Sequence, residues 1–91
     1  MPINNDVKLE FPSEFEEYIV KAKGYIFGLK VSYGNRLVTL NFYDHTRLEQ
    51  DITAELDSGR MFHMHNLVVL DELTAENIID AVERLASSGQ L

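Results

Sequence analysis

The chain has 91 residues, with 15 acidic and 8 basic side chains, no cysteine and a net charge of −7 at pH 7. A chain of this length forms one hydrophobic core, so we expect a single domain over residues 1–91. Disulfides and thiolate metal sites are excluded, and the negative charge disfavours nucleic acid and anionic lipid as partners. No apolar run approaches the roughly 20 residues that span a membrane, and residues 1–6 lack the features of a signal peptide, so we expect a cytoplasmic protein.

The first quarter of the chain combines two patterns. Apolar and charged residues alternate over residues 7–11, which predicts a short edge strand. Ser13 and Glu16 have the spacing of a capping box and Gly24 suits a helix end, so we predict a short helix over residues 13–22. The second half of this segment also reads as a strand, and the sequence leaves that alternative open.

The segment 25–43 alternates with period two and contains one turn. Gly34-Asn35 suits a two-residue type II′ turn, because glycine takes the positive φ of the first central position without strain. The turn predicts a β-hairpin in which every pair on one face is apolar. These pairs are Val31 with Val38, Leu29 with Leu40, and Phe27 with Phe42.

A helix is predicted over residues 46–57. Asp44 or Thr46 can cap it, and Thr46 with Glu49 has the spacing of a capping box. Ser58-Gly59 ends it. The helix carries a narrow apolar stripe formed by Leu48, Ile52 and Leu56.

The last third of the chain predicts a strand and a helix. Residues 60–70 read as a strand whose second half is apolar on both faces. Thr74 caps a helix over residues 74–87, and residues 87–91 are expected to fray. The buried stripe of this helix comprises Ile78, Ile79, Val82, Leu85 and Ala86.

These elements together predict an α+β fold. The strand–helix–strand segment 37–70 favours a parallel pair with a right-handed crossover, whereas the hairpin is antiparallel. We therefore expect a two-layer sandwich with a mixed sheet of three or four strands and a central β-hairpin. The two helices over 46–57 and 74–87 are expected to pack on one face of that sheet.

Reactive chemistry has little support in the sequence. His63 and His65 would share one face of a strand and could bind a divalent ion with Asp44 or His45, but a half-exposed polar strand face is the simpler interpretation. The chain contains neither a Gly-x-Ser-x-Gly elbow nor a glycine-rich phosphate loop. We therefore predict no enzyme and no cofactor, and an alternative is a metal-dependent enzyme that uses His63 and His65.

Acidic side chains cluster on the predicted middle helix and could attract a basic protein. We expect them on its outer face, beside the tyrosine and aspartate that precede the helix. The predicted partner-binding residues are Tyr43, Asp44, Glu49, Asp51, Glu55 and Asp57.

Three segments carry a resemblance: Asn41-Phe-Tyr-Asp-His-Thr-Arg-Leu-Glu-Gln-Asp-Ile, Asn66-Leu-Val-Val-Leu and Leu73-Thr-Ala-Glu-Asn-Ile-Ile-Asp-Ala-Val. They resemble small bacterial proteins of unassigned role, and in its small, acidic character the chain resembles the immunity proteins of bacterial toxin–immunity pairs. The resemblance covers roughly residues 25–88. It implies a cytosolic, non-enzymatic inhibitor that occludes a toxin.

The sequence therefore favours a protein-binding module of the immunity or antitoxin type, acting on a basic effector protein. An alternative of another class is a small homo-oligomeric module, such as a homodimer, that buries the second face of its sheet against a copy of itself.

Overall fold

The computed structural model describes residues 7–12 and 15–91. The elements are β1 (Val7–Glu10), α1 (Glu17–Lys23), β2 (Tyr25–Tyr33), β3 (Arg36–Asp44), α2 (His45–Asp57), β4 (Leu67–Leu70) and α3 (Ala75–Ser87). The sheet has the order β1-β2-β3-β4, in which β1, β2 and β3 are antiparallel neighbours and β4 is parallel to β3. The predicted α+β class, the mixed sheet and the central hairpin are confirmed. Within these residues, no helix combines the length and apolarity that crossing a membrane requires.

The segment before the hairpin contains the predicted edge strand and a helix. α1 begins at Glu17, with Glu16 at its N-cap and no side-chain cap, so the predicted capping box is wrong. Its other member, Ser13, lies outside the described residues. The predicted end is confirmed, because Gly24 has a φ of 84° and its N–H donates to the carbonyl of Val20 at 2.9 Å.

The hairpin turn has the predicted position and register. Gly34 has a φ of 60°, as the first central position of a type II′ turn requires. Leu29 pairs with Leu40 and Val31 with Val38, as predicted. The agreement follows from the turn, since a two-residue loop fixes which residues face each other.

Further from the turn, the predicted pairing of Phe27 with Phe42 is wrong. Phe42 pairs with Ile26, and the register shifts between Ile26 and Leu29. Gly28, with a φ of 74°, allows this β-bulge. As a result Ile26 is buried in the core, whereas Phe27 lies on the opposite face and is 42% exposed.

Asn41 ties the bulge to the segment before β4. Its side-chain oxygen accepts from the N–H of Gly28 at 2.9 Å, and its side-chain nitrogen donates to the carbonyl of His65 at 2.8 Å. Its backbone N–H donates to the carbonyl of Asn66 at 3.0 Å. One side chain therefore satisfies backbone groups on both sides of β3.

Replacing Asn41 by alanine is expected to lower the free energy of unfolding by about 1–2 kcal/mol, because two hydrogen bonds are lost near solvent. Urea denaturation measures the change. Gln50→Ala, an exposed change on α2, is the control and is expected to stay within about 0.5 kcal/mol of the parent chain. Equal effects of both substitutions would contradict the bridging role of Asn41.

The core lies between one face of the sheet and the helices α1 and α3. This buried cluster comprises Val20, Ile26, Leu29, Val31, Leu40, Phe42, Leu73, Ile78, Ala81, Val82, Ala86 and Leu91. Two helices therefore pack on the apolar face of the sheet, as predicted. One of these helices is α1, and not the helix predicted over 46–57.

α2 contributes no residue to this cluster, which corrects that prediction. Its stripe is only half-buried at Leu48 and Ile52, and Leu56 is 59% exposed. Because side chains alternate along β3, Tyr43 lies on the side of the sheet opposite the buried Phe42. α2 contacts the sheet through Tyr43, and so it lies on that side. We call this side of the sheet the open face.

The end of the chain is packed, so the predicted fraying is wrong. The predicted cap at Thr74 is confirmed, because its hydroxyl oxygen accepts from the N–H of Asn77 at 3.1 Å. After α3, the N–H of Gln90 donates to the carbonyl of Leu85 at 2.9 Å, and the following Leu91 is 6% exposed within the core. Ile79, predicted to be buried, is 40% exposed.

The strand predicted over 60–70 is only about a third as long as expected. β4 comprises only Leu67–Leu70, and residues 60–66 are irregular. Asn66 has a φ of 52°, a left-handed conformation that ends an extended run. Among the residues that the structure describes, no strand therefore lies beside the first part of β3 at this edge.

Candidate functional site

Three of the predicted partner-binding residues, Tyr43, Asp44 and Asp51, lie close to the junction of β3 and α2. Asp44 caps α2, accepting from the N–H of Arg47 at 2.7 Å, and its own N–H donates to the carbonyl of Gly24 at 2.8 Å. The predicted Thr46–Glu49 capping box is wrong, because α2 already begins at residue 45. Asp44 therefore joins the helix start to the turn that follows α1.

Tyr43 is held inside the molecule by two residues of α2. Its hydroxyl donates to a carboxylate oxygen of Asp51 at 2.6 Å, and the other oxygen accepts from Nε of Arg47 at 2.9 Å. The guanidinium of Arg47 also lies 5.0 Å from the centre of the Tyr25 ring. Tyr43 is only 3% exposed, so as folded it does not offer its ring to a partner.

These contacts shift the pKa values of Tyr43 and Asp51. Burial, and then the hydrogen bond to Asp51, raise the pKa of Tyr43 to about 12. The hydrogen bond from Tyr43, supported by Arg47, lowers the pKa of Asp51 below its ordinary value. At neutral pH Tyr43 is therefore a neutral donor to an ionised carboxylate. This state positions α2 and is poorly suited to exchange protons with a substrate.

Glu55, near the C-terminal end of α2, also forms an ion pair with an arginine. Its two oxygens accept from Arg60, at 2.8 Å from Nε and 3.2 Å from Nη2. The hydrogen bond from Arg60 lowers the pKa of Glu55. This bidentate pair joins α2 to the irregular segment 60–66.

The four predicted acids of the middle helix therefore do not share one face. Asp51 and Glu55 turn towards the sheet and the following segment, whereas Glu49 and Asp57 are exposed. Within residues 7–12 and 15–91, no cationic side chain lies within 4.0 Å of either exposed acid. The sequence pattern of the helix does not reveal this division of the four acids. Arg60, the partner of Glu55, lies after the helix, and Tyr43, the partner of Asp51, lies before it.

The outer surface of α2 combines negative charge with an exposed apolar side chain. Glu49, Thr53 and Leu56 follow each other at the spacing of one helix face, and Asp57 adjoins them. Leu56 is 59% exposed. These four residues, which we call the α2 outer face, are able to contact a partner without any rearrangement of the ion pairs beneath them.

His63 and His65 do not have the predicted geometry. Both are exposed in the irregular segment 60–66, so the strand spacing that would align their rings is absent. Over the described ranges, no group of three or more His, Cys, Asp and Glu side chains is placed to hold a metal ion. His63 instead borders a shallow cavity of about 330 Å³, which is also lined by Tyr43, Asp51, Ala54, Glu55, Met61 and Phe62.

The open face carries apolar side chains that the sequence did not single out. Phe27 and Val69 are each 42% exposed there, and Leu37 is 70% exposed. The Phe27 ring packs on Tyr25 at 4.8 Å and against Tyr43 at 5.4 Å between ring centres. Gly28, an isolated glycine within a strand pattern, was the one sequence signal for the bulge that places Phe27 there.

Comparisons with protein-family models, with curated proteins and with solved structures found no match to this chain.

Proposed function

We propose that this protein is a non-enzymatic protein-binding module, and specifically an immunity-type inhibitor that occludes the site of a basic effector protein. The observation that carries the proposal is the α2 outer face, where Leu56 is 59% exposed beside the exposed Glu49 and Asp57. Protein interfaces commonly have an apolar centre surrounded by a polar rim, and the α2 outer face has this arrangement on a small scale. The net charge of −7 supports attraction to a basic partner.

The rigidity of the site supports the same function. Tyr43, Arg47 and Asp51 hold the helix from below, and the Glu55–Arg60 pair holds its end. A helix fixed before binding loses little conformational entropy on association. The outer carboxylates attract the partner, and the inner ones maintain the shape of the surface.

The experiment begins with the tagged full-length chain, which captures the partner from the native cell for identification by mass spectrometry. The association rate of the purified partner is then measured for the parent chain and for a Glu49→Lys, Asp57→Lys double variant. We expect the double variant to associate about tenfold or more slowly at low salt and to show a weaker salt dependence. Leu56→Ser is expected to raise the dissociation rate.

The matched control reverses two exposed acids that lie away from α2, Glu16 and Glu76. It changes the net charge by the same amount, and its association rate is expected to fall much less. Equal rates for the parent chain and the Glu49→Lys, Asp57→Lys variant would refute the proposed surface. Circular dichroism establishes beforehand that the variants are folded.

A second candidate function is self-association through the open face. It is favoured by the exposure of Phe27, Leu37 and Val69 on one side of the sheet. Sedimentation-equilibrium experiments distinguish it, because a dimer would dissociate on Phe27→Ser substitution. A monomer at every concentration would exclude it.

A further inference from the structure

The edge of β3 before residue 41 has backbone groups that none of the described strands pairs. β4 begins opposite Asn41, whose N–H points towards it and donates to the carbonyl of Asn66 at 3.0 Å. Backbone direction alternates along a strand, so the N–H and C=O groups of Leu37 and Thr39 point to the same side. The carbonyl of Thr39 accepts from the side chain of Asn66 at 2.9 Å. For the other three groups, the described part of the chain supplies no partner.

A groove of about 660 Å³ lies along this edge on the core side of the sheet. Its apolar lining includes Val38, Leu40, Val68, Leu85 and Leu91. Leu40 and Leu91 are only 5% and 6% exposed, so the groove reaches the core. An added strand would place alternate side chains in this groove and hydrogen-bond to β3 with its backbone.

The charges around the groove restrict what could occupy it. Arg36 lines its outer end, and within the described ranges no carboxylate lies within 4.0 Å of its guanidinium. A second copy placed here would bring together two chains that each carry a net charge of −7. The guanidinium of Arg36 instead attracts an extended segment of another protein that places an acidic residue beside it.

We infer that the β3 edge at Leu37–Thr39 is a second binding site, which takes an extended segment of another protein by β-strand addition. The segment carries apolar side chains at alternate positions and an acidic residue near Arg36. This inference goes beyond the proposed function, because it depends on the β3 edge and not on the α2 outer face. Variants of α2 therefore test one site and leave the other intact.

The probe is a blocked seven-residue peptide that alternates valine and threonine and carries glutamate at both ends. Binding to the ¹⁵N-labelled full-length chain is followed by amide chemical shifts and hydrogen exchange. In the free chain, we expect the amides of Leu37 and Thr39 to exchange at least about tenfold faster than those of Val38 and Leu40, which face β2. The peptide is expected to shift the Leu37 and Thr39 amides and to slow their exchange.

Two N-methylated peptides provide the matched control without altering the protein. One is methylated on all valines and the other on all threonines, and only one of these sets can face β3. Methylation of that set is expected to weaken binding at least about tenfold, and methylation of the other set to leave it nearly unchanged. The Arg36→Glu substitution is expected to weaken binding of the glutamate peptide about two- to fivefold. It is also expected to strengthen binding of a peptide that carries lysine at both ends.

Three outcomes would overturn the inference. The first is that the peptide leaves the Leu37 and Thr39 amides unchanged, and the second is that both methylated peptides bind equally. The third is slow exchange of these amides in the free chain that accelerates on dilution, which would identify a second copy as the occupant.

Discussion

The Gly24→Ala variant is expected to lose about 2.5–7 kcal/mol of unfolding free energy. Gly24 has a φ of 84°, and a Cβ added there would lie 2.6 Å from Cβ of Arg47 and 2.9 Å from a carboxylate oxygen of Asp44. A left-handed conformation costs an L-residue about 1–2 kcal/mol, and overpacking typically costs about 1–3 kcal/mol more. Displacing Asp44 also weakens the cap of α2, at about 0.5–2 kcal/mol.

Gly59→Ala provides a control for the backbone conformation. Gly59 also has a positive φ, 82°, but nothing lies within 4 Å of a Cβ added there. Its expected loss is therefore the conformational cost alone, about 1–2 kcal/mol. Chemical denaturation of both variants measures the difference, and equal losses would show that the close approach of α2 to Gly24 adds no steric cost.

The Tyr43→Phe variant is expected to lose about 1.5–3 kcal/mol at pH 7. The substitution removes a hydrogen bond of 2.6 Å to an ionised carboxylate while keeping the ring in place. Tyr18→Phe, at a residue that is 71% exposed, is the control and is expected to stay within about 0.5 kcal/mol of the parent chain. Urea denaturation at neutral pH measures both changes.

The unfolding free energy measured at alkaline pH tests the same hydroxyl of Tyr43. The folded-state pKa of Tyr43, about 12, lies above its ordinary value of 10.0, so its contribution is complete below pH 10 and is lost as the pH rises towards 12. A shift of this size corresponds to about 2–3 kcal/mol. The unfolding free energies of the parent chain and Tyr43→Phe should therefore converge over this range. A constant difference would contradict the assigned hydrogen bond.

At acidic pH the hydrogen bond loses its contribution to stability as the pH falls, because the titrating group is the carboxyl of Asp51. The folded-state pKa of Asp51 is lowered, chiefly by the hydrogen bond from Tyr43. Its contribution is present above the ordinary pKa of a carboxyl group and is lost as the pH falls through the folded-state value. The difference between the parent chain and Tyr43→Phe should therefore also shrink at low pH.

Local patterns predicted those features that neighbouring residues decide. Gly34-Asn35 fixed the hairpin register near the turn, because a two-residue loop leaves few alternatives. Asp44, Thr74 and Gly24 were recognised as helix ends, since capping acts within one helical turn. The α+β class followed from the order of these elements.

The candidate site was predicted only in part. The charges of Glu49 and Asp57 are visible in the sequence and stay exposed in the fold. Arg47, one partner of Asp51, lies four residues before it in α2, a spacing visible in the sequence. The other partner of Asp51, Tyr43, and the partner of Glu55, Arg60, lie outside the helix. The pairing of Tyr43 with Asp51 depends on how α2 crosses the sheet, and periodicity contains no information on that crossing angle.

The sequence by itself determined a small, acidic, cysteine-free α+β chain with a β-hairpin and capped helices. Tertiary structure decided that the bulge at Gly28 moves Phe27 to the open face and that α2 lies outside the core. It also decided that β4 stops short of the β3 edge. The reason is physical: propensity and capping act over a few residues, whereas burial and strand pairing depend on segments brought together from distant parts of the chain.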